Sequence, residues 1–287
     1  MDPESLDPAS EPFAMRCMEI WGGNKAVQES IATPGLDIWV FSEPYRAEAH
    51  GGDVHYVSLC GGGIITRMII ADVSGHGESV AGFSDALRSL MRRNINSKSQ
   101  KRLVGALNRQ FTELAQLRRF ATAVVATYLA TTDRLDVCNA AHPRPIWYRS
   151  ETRTWSLLTH ESANSAESAM NVPLGIDEEA TYDQFSVRLD RGDVVIFYTD
   201  ALTEAAGPSG AMLGEEGLLT IARGLDLRTP ERIGPDLLDA IRRHRDGGAA
   251  DDDVTLLVLH HNGGPPRRPS IGEKLDIYAK VFGLKAV

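Results

Sequence analysis

Four sites in this sequence place acidic residues at the beginning or the end of a predicted strand. Asp72 follows an apolar run and precedes a glycine-rich turn, and Asp53 opens the apolar segment before it. Asp200 follows another apolar run, whereas Asp252 and Asp253 open a further one. Carboxylates gathered without lysine or arginine in the same segments need compensating positive charge. Two hard divalent cations would supply it, and all-oxygen ligation favours Mg²⁺ or Mn²⁺.

The spacing of Asp53 and Asp72 predicts that they lie side by side. Residues 54–59, the glycines at 61–63 and residues 64–71 make a predicted β-hairpin. Antiparallel pairing puts the first residue of the leading strand opposite the last residue of the returning strand. A single acid before a glycine turn is usually a turn former, but two facing carboxylates repel unless a cation or a proton lies between them.

Such a site predicts phosphoryl chemistry. A pair of divalent cations about 3.5 to 4 Å apart can hold a phosphoryl group and lower the pKa of an attacking water molecule, so no nucleophilic side chain is required. Ser74 is the rival nucleophile, but no Gly-x-Ser-x-Gly elbow surrounds it, and its hydroxyl is expected to shape the turn. His142, before a proline, could be a ligand or a general acid, but a turn residue that bonds the backbone is the favoured interpretation.

The composition is that of an ordinary globular protein. The 287 residues carry a net charge of −9, so no overall basic surface exists for nucleic acid or an anionic membrane. The acidic N-terminus lacks the features of a signal peptide, and no apolar stretch approaches the roughly 18 residues of a membrane helix. Three cysteines in apolar or glycine-flanked segments predict reduced core residues. We therefore expect a cytoplasmic protein that binds neither nucleic acid nor membrane.

The elements that must position the acids are strands and amphipathic helices. Residues 15–21 and 38–41 are strand candidates for a capping hairpin. Strand and turn patterns predict three further hairpins, at residues 54–71, 121–140 and 181–198. Apolar residues at helical spacing predict helices at residues 80–91, 103–117, 215–225, 230–243 and 272–282. These patterns predict a flexible leader at 1–14, one domain at 15–262, and a linker with a C-terminal helix at 263–287.

Five short motifs follow one another along the chain: Gly51-Gly52-Asp53, Ala71-Asp72-Val73-Ser74-Gly75-His76-Gly77, Asn139-Ala140-Ala141-His142-Pro143, Tyr198-Thr199-Asp200 with Thr203-Glu204-Ala205, and Asp252-Asp253-Val254-Thr255-Leu256-Leu257. In this order they resemble the motifs of the metal-dependent type 2C serine/threonine phosphatases, in the bacterial branch named for SpoIIE and RsbU. Each motif is weak alone, but five in order over about residues 45–260 make a strong resemblance.

The resemblance implies an α+β fold in which two antiparallel β-sheets form a sandwich flanked by helices on both sides, a four-layer αββα arrangement. It also implies a site for two Mn²⁺ or Mg²⁺ ions. Asp53, Asp72, Asp200 and Asp252 would be the ligand carboxylates, with Asp72 bridging both metals and the Val73 carbonyl as a further ligand.

The implied enzyme hydrolyses phosphoserine or phosphothreonine in a protein. In this branch the usual substrate is a small STAS-domain anti-anti-sigma factor, which then sequesters an anti-sigma kinase and frees the sigma factor. About 45 residues precede the segment of Asp53, too few for the sensor domain of many relatives. Control is therefore expected from a partner, from dimerisation or from the two helices after Gly77, which could shift Asp72 relative to Asp200.

The sequence departs from the family pattern at two positions. Ala201 stands where glycine usually follows the third aspartate, and Ala141 where glycine usually precedes His-Pro. A methyl group costs little at negative φ but roughly 1 kcal/mol in a left-handed conformation. The family's general-acid role is not assigned to His76, which is expected to shape the helix start. The alternative to an active enzyme is a catalytically weak pseudophosphatase that acts as a binding scaffold.

Overall fold

The structure, a computed structural model, describes residues 13–15, 20–60, 64–74, 86–90, 93, 100–115, 120–161, 171–265 and 272. Its strands are β1 (Phe13–Ala14), β2 (Ile20–Gly23), β3 (Val27–Thr33), β4 (Leu36–Glu43), β5 (Asp53–Cys60), β6 (Ile65–Val73), β7 (Ala121–Leu129), β8 (Arg134–Ala140), β9 (Ile146–Arg149), β10 (Thr154–Leu157), β11 (Phe185–Arg188), β12 (Val194–Tyr198) and β13 (Val254–His261). Its longer helices are α1 (Gln100–Ala115), α2 (Gly214–Ala222) and α3 (Pro230–His244).

These strands form two sheets. The seven-stranded sheet has the order β1-β3-β4-β13-β12-β9-β10, and the six-stranded sheet has the order β11-β8-β7-β6-β5-β2. Neighbouring strands are antiparallel, except that β1 runs parallel to β3. The first strands of the chain are thus divided between the two sheets, because β2 pairs with β5 whereas β4 pairs with β3 and β13. The predicted capping hairpin of residues 15–21 and 38–41 is therefore wrong.

Apolar side chains fill three layers between the elements. Buried residues of both sheets, such as Val57, Met68 and Leu257, pack together between the sheets. Residues of α1, including Phe111, pack on the outer face of the six-stranded sheet. Residues of α2 and α3, including Leu237, pack on the outer face of the seven-stranded sheet. The helices therefore flank a sandwich, and the predicted αββα fold class is confirmed.

Two predicted hairpins are confirmed, since β5 pairs with β6 and β7 pairs with β8. The hairpin predicted at residues 181–198 is wrong, because β11 pairs with β8 while β12 pairs with β9 and β13 in the other sheet. The buried carboxylate of Asp193 explains why the chain passes from one sheet to the other between β11 and β12. It accepts hydrogen bonds from Trp147 Nε1 at 3.1 Å and from the Ser150 backbone N–H at 2.8 Å, which hold the start of β12 beside β9.

The predicted helices at 103–117, 215–225 and 230–243 correspond to α1, α2 and α3, and residues 86–90 are also helical. Cys138 is buried and free, as predicted for a core cysteine. The leader, the turn that contains His76, most of the tail helix, Cys17 and the side chain of Cys60 lie outside the described residues. Over the described part of the chain, no helix has the length and apolar character needed to cross a membrane.

Candidate metal centre

Asp53 and Asp72 lie directly opposite each other on β5 and β6. The predicted pairing of these two acids is therefore confirmed. Asp53 is buried, with 3% of its surface exposed, and burial followed by repulsion from Asp72 and Asp253 raises its pKa well above the ordinary value. Asp72 is partly exposed, and burial together with neighbouring carboxylates raises its pKa to about 7. Burial is the largest cause of both shifts, and repulsion from neighbouring carboxylates adds to it.

Thr199 joins Asp53 to the other sheet. Its hydroxyl donates a hydrogen bond to Asp53 Oδ2 at 2.8 Å and accepts one from the Thr255 backbone N–H at 2.9 Å. The Thr199 backbone N–H in turn donates to the Thr255 carbonyl at 3.1 Å. Thr199 is completely buried, so water does not compete for these bonds. The Asp53 carboxylate is thereby fixed beside the ends of β12 and β13.

Asp253 makes a second connection between the sheets. Its buried carboxylate accepts hydrogen bonds from the backbone N–H groups of Tyr45 and Gly52, both at 2.5 Å, and from Asp53 at 3.4 Å. A Cβ atom on Gly51 would lie only 2.8 Å from this carboxylate, which explains the glycine. Asp253 is therefore committed to the backbone, whereas Asp252 stays partly exposed and its Oδ1 accepts from the Asp253 N–H at 2.8 Å.

Asp200 begins a short 3₁₀ turn, Asp200–Leu202, immediately after β12. The guanidinium of Arg245 donates to the Ala201 carbonyl at 2.5 Å and so ties this turn to the end of α3. Ala201 lies inside this turn and has a right-handed backbone, since it is not one of the described non-glycine residues with positive φ. The alanine in place of glycine therefore does not strain the placement of Asp200.

The remaining carboxylates act on Asp72 from nearby. After burial, the causes that raise the pKa of Asp72 are repulsion from Asp200, Asp252, Asp253 and Glu204, in that order. Burial and then Glu204 likewise raise the pKa of Asp200. The acids at Asp53, Asp72, Asp200 and Asp252 are therefore gathered at one end of the sandwich, although they come from both sheets.

The donor set of this cluster fits hard divalent cations. Its side chains offer oxygen atoms alone, and within the described residues no ion pair involves Asp53, Asp72 or Asp200. Among those same residues, no three His, Cys, Asp or Glu side chains converge closely enough to hold a metal ion. The ligand roles of the four aspartates and of the Val73 carbonyl stay predictions.

His142 is held in a buried turn. Its Nδ1 lies 2.8 Å from the Thr122 hydroxyl, and its backbone N–H donates to Asn139 Oδ1 at 2.7 Å. Burial lowers the pKa of His142 to about 3, so its ring is neutral and a poor proton donor at neutral pH. The turn interpretation is thus supported. Similarly, the Ser74 hydroxyl accepts a hydrogen bond from the Phe120 N–H at 3.3 Å, which fits its predicted role in shaping a turn.

Sequence reasoning missed four contributions to this site: the hydroxyl of Thr199, the backbone bonds of Asp253, the charge of Glu204 and the guanidinium of Arg245. The first three residues lie inside the motifs given above, so their position in those motifs could have indicated a role in the site. Arg245 lies in no motif, and its contact with the Ala201 carbonyl exists only in the folded chain.

The fold is that of type 2C phosphatase domains. It is similar to the RsbU and RsbW domains of Rv1364c from Mycobacterium tuberculosis, with a TM-score of 0.68 and 22% identity over 90% of this chain and 70% of that one. For the PP2C phosphatase domain of SpoIIE from Bacillus subtilis, the TM-score is 0.63 with 16% identity, covering 85% and 71% of the two chains. For RsbX in complex with magnesium, the TM-score is 0.58 with 14% identity, covering 81% and 98%.

The sequence identifies the family within this class. Residues 65–262, more than half of the chain, match the family of Stage II sporulation protein E (SpoIIE), and the chain belongs to that family. It is 28% identical to the phosphoserine phosphatase RsbP of Bacillus subtilis (strain 168) over 142 residues, which are 48% of this chain and 33% of that protein. It is 26% identical to the phosphoserine phosphatase RsbU of the same strain over 192 residues, covering 66% and 51%. These matches span a third to a half of the two relatives.

Proposed function

We propose that this chain is a metal-dependent protein phosphatase that hydrolyses phosphoserine or phosphothreonine. The observation that carries the proposal is the gathering of Asp53, Asp72, Asp200 and Asp252 at one end of a type 2C phosphatase fold. Negative charge that is buried without a cationic partner is unfavourable, and bound cations relieve that cost. Membership of the SpoIIE family supports the same reaction.

We assign two Mn²⁺ or Mg²⁺ ions to the four aspartates, with the Val73 carbonyl as a further ligand. Bound there, the ions would polarise the phosphoryl oxygens and lower the pKa of a water molecule. The chain itself fixes Asp53 in advance, because Thr199 bonds its carboxylate and Asp253 bonds its backbone N–H. Asp72 is partly exposed, and burial followed by repulsion from four other carboxylates raises its pKa. This central position among the acids supports its assignment as the bridging ligand.

The proposed substrate is a phosphorylated protein, with a STAS-type anti-anti-sigma factor as the specific candidate. The names of RsbP and RsbU as phosphoserine phosphatases support phosphoserine as the hydrolysed group. The choice of a STAS-type protein rests on the resemblance of the five motifs to the SpoIIE and RsbU branch. A regulatory partner or a second copy of the chain is the proposed source of control.

The test is hydrolysis of p-nitrophenyl phosphate by the wild type, by Asp72→Asn and by the exposed control Asp251→Asn. We expect activity that requires added Mn²⁺ or Mg²⁺, is nearly abolished in Asp72→Asn and is retained in Asp251→Asn. Absence of activity with added Mn²⁺, or equal activity of Asp72→Asn and the wild type, contradicts an enzyme. Calorimetric titration of Mn²⁺ separates the alternatives, since metal binding without hydrolysis favours the pseudophosphatase.

A further inference from the structure

A pocket of about 490 Å³ opens beside the carboxylate cluster and shares Asp252 with it. The pocket lies between the end of β4 and the C-terminal end of α3. Part of its lining is apolar and buried, including Phe41, Leu202 and Ile241. A group that reaches the carboxylate cluster therefore has this pocket at its side.

Arginines outnumber carboxylates, three to two, among the charged side chains that line the pocket. Arg46, Arg242 and Arg245 line it together with the carboxylates of Glu43 and Asp252. Three guanidinium groups around one pocket contrast with the net charge of −9 of the whole chain. Arginine matches carboxylates in a planar, bidentate geometry, so the pocket is suited to an acidic group.

Arg46 is held in place for such a role. Its guanidinium lies 4.8 Å from the centre of the Tyr45 ring, a cation–π contact that limits its freedom. Arg46 and Ala47 both have left-handed backbones, with φ of 50° and 55°, although neither is glycine. Strain of this kind persists where the surroundings enforce it, and here Asp253 binds the Tyr45 N–H. The Asp253 carboxylate thus bonds the backbone both of the cluster, at Asp53, and of the pocket, at Tyr45.

The other two arginines differ in their availability. Arg245 is committed to the Ala201 carbonyl, so it supports the turn of Asp200. Arg242 has 55% of its side chain exposed, and its contact with Asp239 at 3.3 Å is a surface ion pair. Exposed pairs of this kind contribute little, so Arg242 can exchange Asp239 for a carboxylate of a ligand. Arg46 and Arg242 are therefore the residues to test.

We propose that this pocket binds the segment of the phosphorylated protein next to the phosphoresidue, and that it selects a segment with an apolar side chain beside a carboxylate. The inference rests on the proposed function, because Asp252 belongs both to the pocket and to the proposed metal centre. The apolar lining receives the apolar side chain, and Arg46 with Arg242 receives the carboxylate. Charge complementarity favours this occupant over a neutral or a basic one.

The experiment measures peptide binding and hydrolysis separately. Fluorescence anisotropy follows a labelled peptide that carries a non-hydrolysable phosphonate with a Leu-Glu flank, and a second peptide in which Lys replaces Glu. Proteins are the wild type, the double variant Arg46→Ala with Arg242→Ala, and the control Arg228→Ala, whose exposed arginine lies outside the pocket. Hydrolysis of p-nitrophenyl phosphate, which has no flanking segment, reports on the proposed function alone.

We expect the wild type and Arg228→Ala to bind the Glu peptide roughly 10-fold more tightly than the Lys peptide, as for hydrogen bonds to a charged group. The double variant should lose this preference and keep the wild-type rate with p-nitrophenyl phosphate. Equal binding of both peptides by the wild type overturns the inference, as does a preference that survives in the double variant. If the double variant alters only the sedimentation of the protein, the pocket is a contact between copies and the inference is again wrong.

Discussion

The hydroxyl of Thr199 donates a hydrogen bond to Asp53 at 2.8 Å, and this contact joins the ends of the two sheets. Asp53 begins β5 in the six-stranded sheet, whereas Thr199 follows β12 in the seven-stranded sheet. Because Thr255 and Asp253 complete the same junction, the carboxylate is oriented before any ion binds. The junction of the sheets and the proposed metal centre are therefore one structure.

Removal of the Thr199 hydroxyl should weaken metal binding. Thr199→Val keeps the shape of the side chain but leaves Asp53 without this donor, and partners of metal ligands typically contribute about 10- to 100-fold in affinity. We expect a loss of this size for Mn²⁺ in calorimetric titration, and recovery in Thr199→Ser. Thr127→Val is the matched control, because it removes a buried threonine hydroxyl whose 2.6 Å bond goes to Gln100 in α1 and not to the carboxylate cluster. Equal losses in Thr127→Val and Thr199→Val would show a general effect on folding.

Ionisation of Asp72 should destabilise the metal-free protein as the pH rises towards neutrality. The pKa of Asp72 is raised from 3.8 to about 7, so the folded state holds this proton more tightly than the unfolded state does. Its contribution to the free energy of unfolding is therefore present at low pH and is lost between pH 3.8 and about 7. Urea unfolding in chelator at about pH 5.5 and 7.5 measures this effect as the difference between the wild type and Asp72→Asn. The comparison is needed because burial lowers the pKa of His142 to about 3, which changes stability in the opposite direction over the same range.

Asp72→Asn isolates the part of the pH dependence that belongs to Asp72. The variant should be more stable than the wild type at neutral pH without metal, and this difference in stability should be smaller at about pH 5.5 than at about pH 7.5. Added Mg²⁺ should stabilise the wild type at neutral pH but not the variant. A wild type and a variant with identical pH profiles would contradict the raised pKa of Asp72.

Asp252 and Asp253 are adjacent but should respond differently to substitution. Asp253→Ala removes the acceptor of three backbone N–H groups and should lower the free energy of unfolding by about 3 kcal/mol without metal. Asp252→Ala removes a partly exposed carboxylate from a repulsive cluster, so the metal-free protein should keep its stability while Mn²⁺ affinity falls. Urea unfolding and calorimetry check the pair, and similar stabilities of the two variants would contradict these roles.

The sequence was sufficient for those parts of the site that depend on local pairing. The Asp53 and Asp72 register follows from one short hairpin, whose alternation of faces and turn leave a single arrangement. The predicted hairpin at residues 181–198 failed because the buried bonds of Asp193 to Trp147 and Ser150 override local proximity. Likewise, the sequence around Thr199 does not indicate which residue its hydroxyl will bond. Its contact with Asp53 forms only when both sheets are folded.

The two alanines that replace family glycines provide a pair of opposite predictions. Ala141 has φ of 55°, and glycine there should relieve about 1 to 2 kcal/mol of left-handed strain, partly offset by about 0.4 to 1 kcal/mol from a freer unfolded chain. Ala141→Gly should therefore raise the melting temperature by about 2 to 4 °C.

Ala201 is right-handed and buried, so the same substitution there relieves no strain. Ala201→Gly should lower the free energy of unfolding by about 1 kcal/mol through the freer unfolded chain and the lost methyl group. Calorimetric melting of both variants in chelator checks the signs. Because the two substitutions are chemically identical, melting shifts of the same sign would show that the backbone conformation at these positions does not decide their effect.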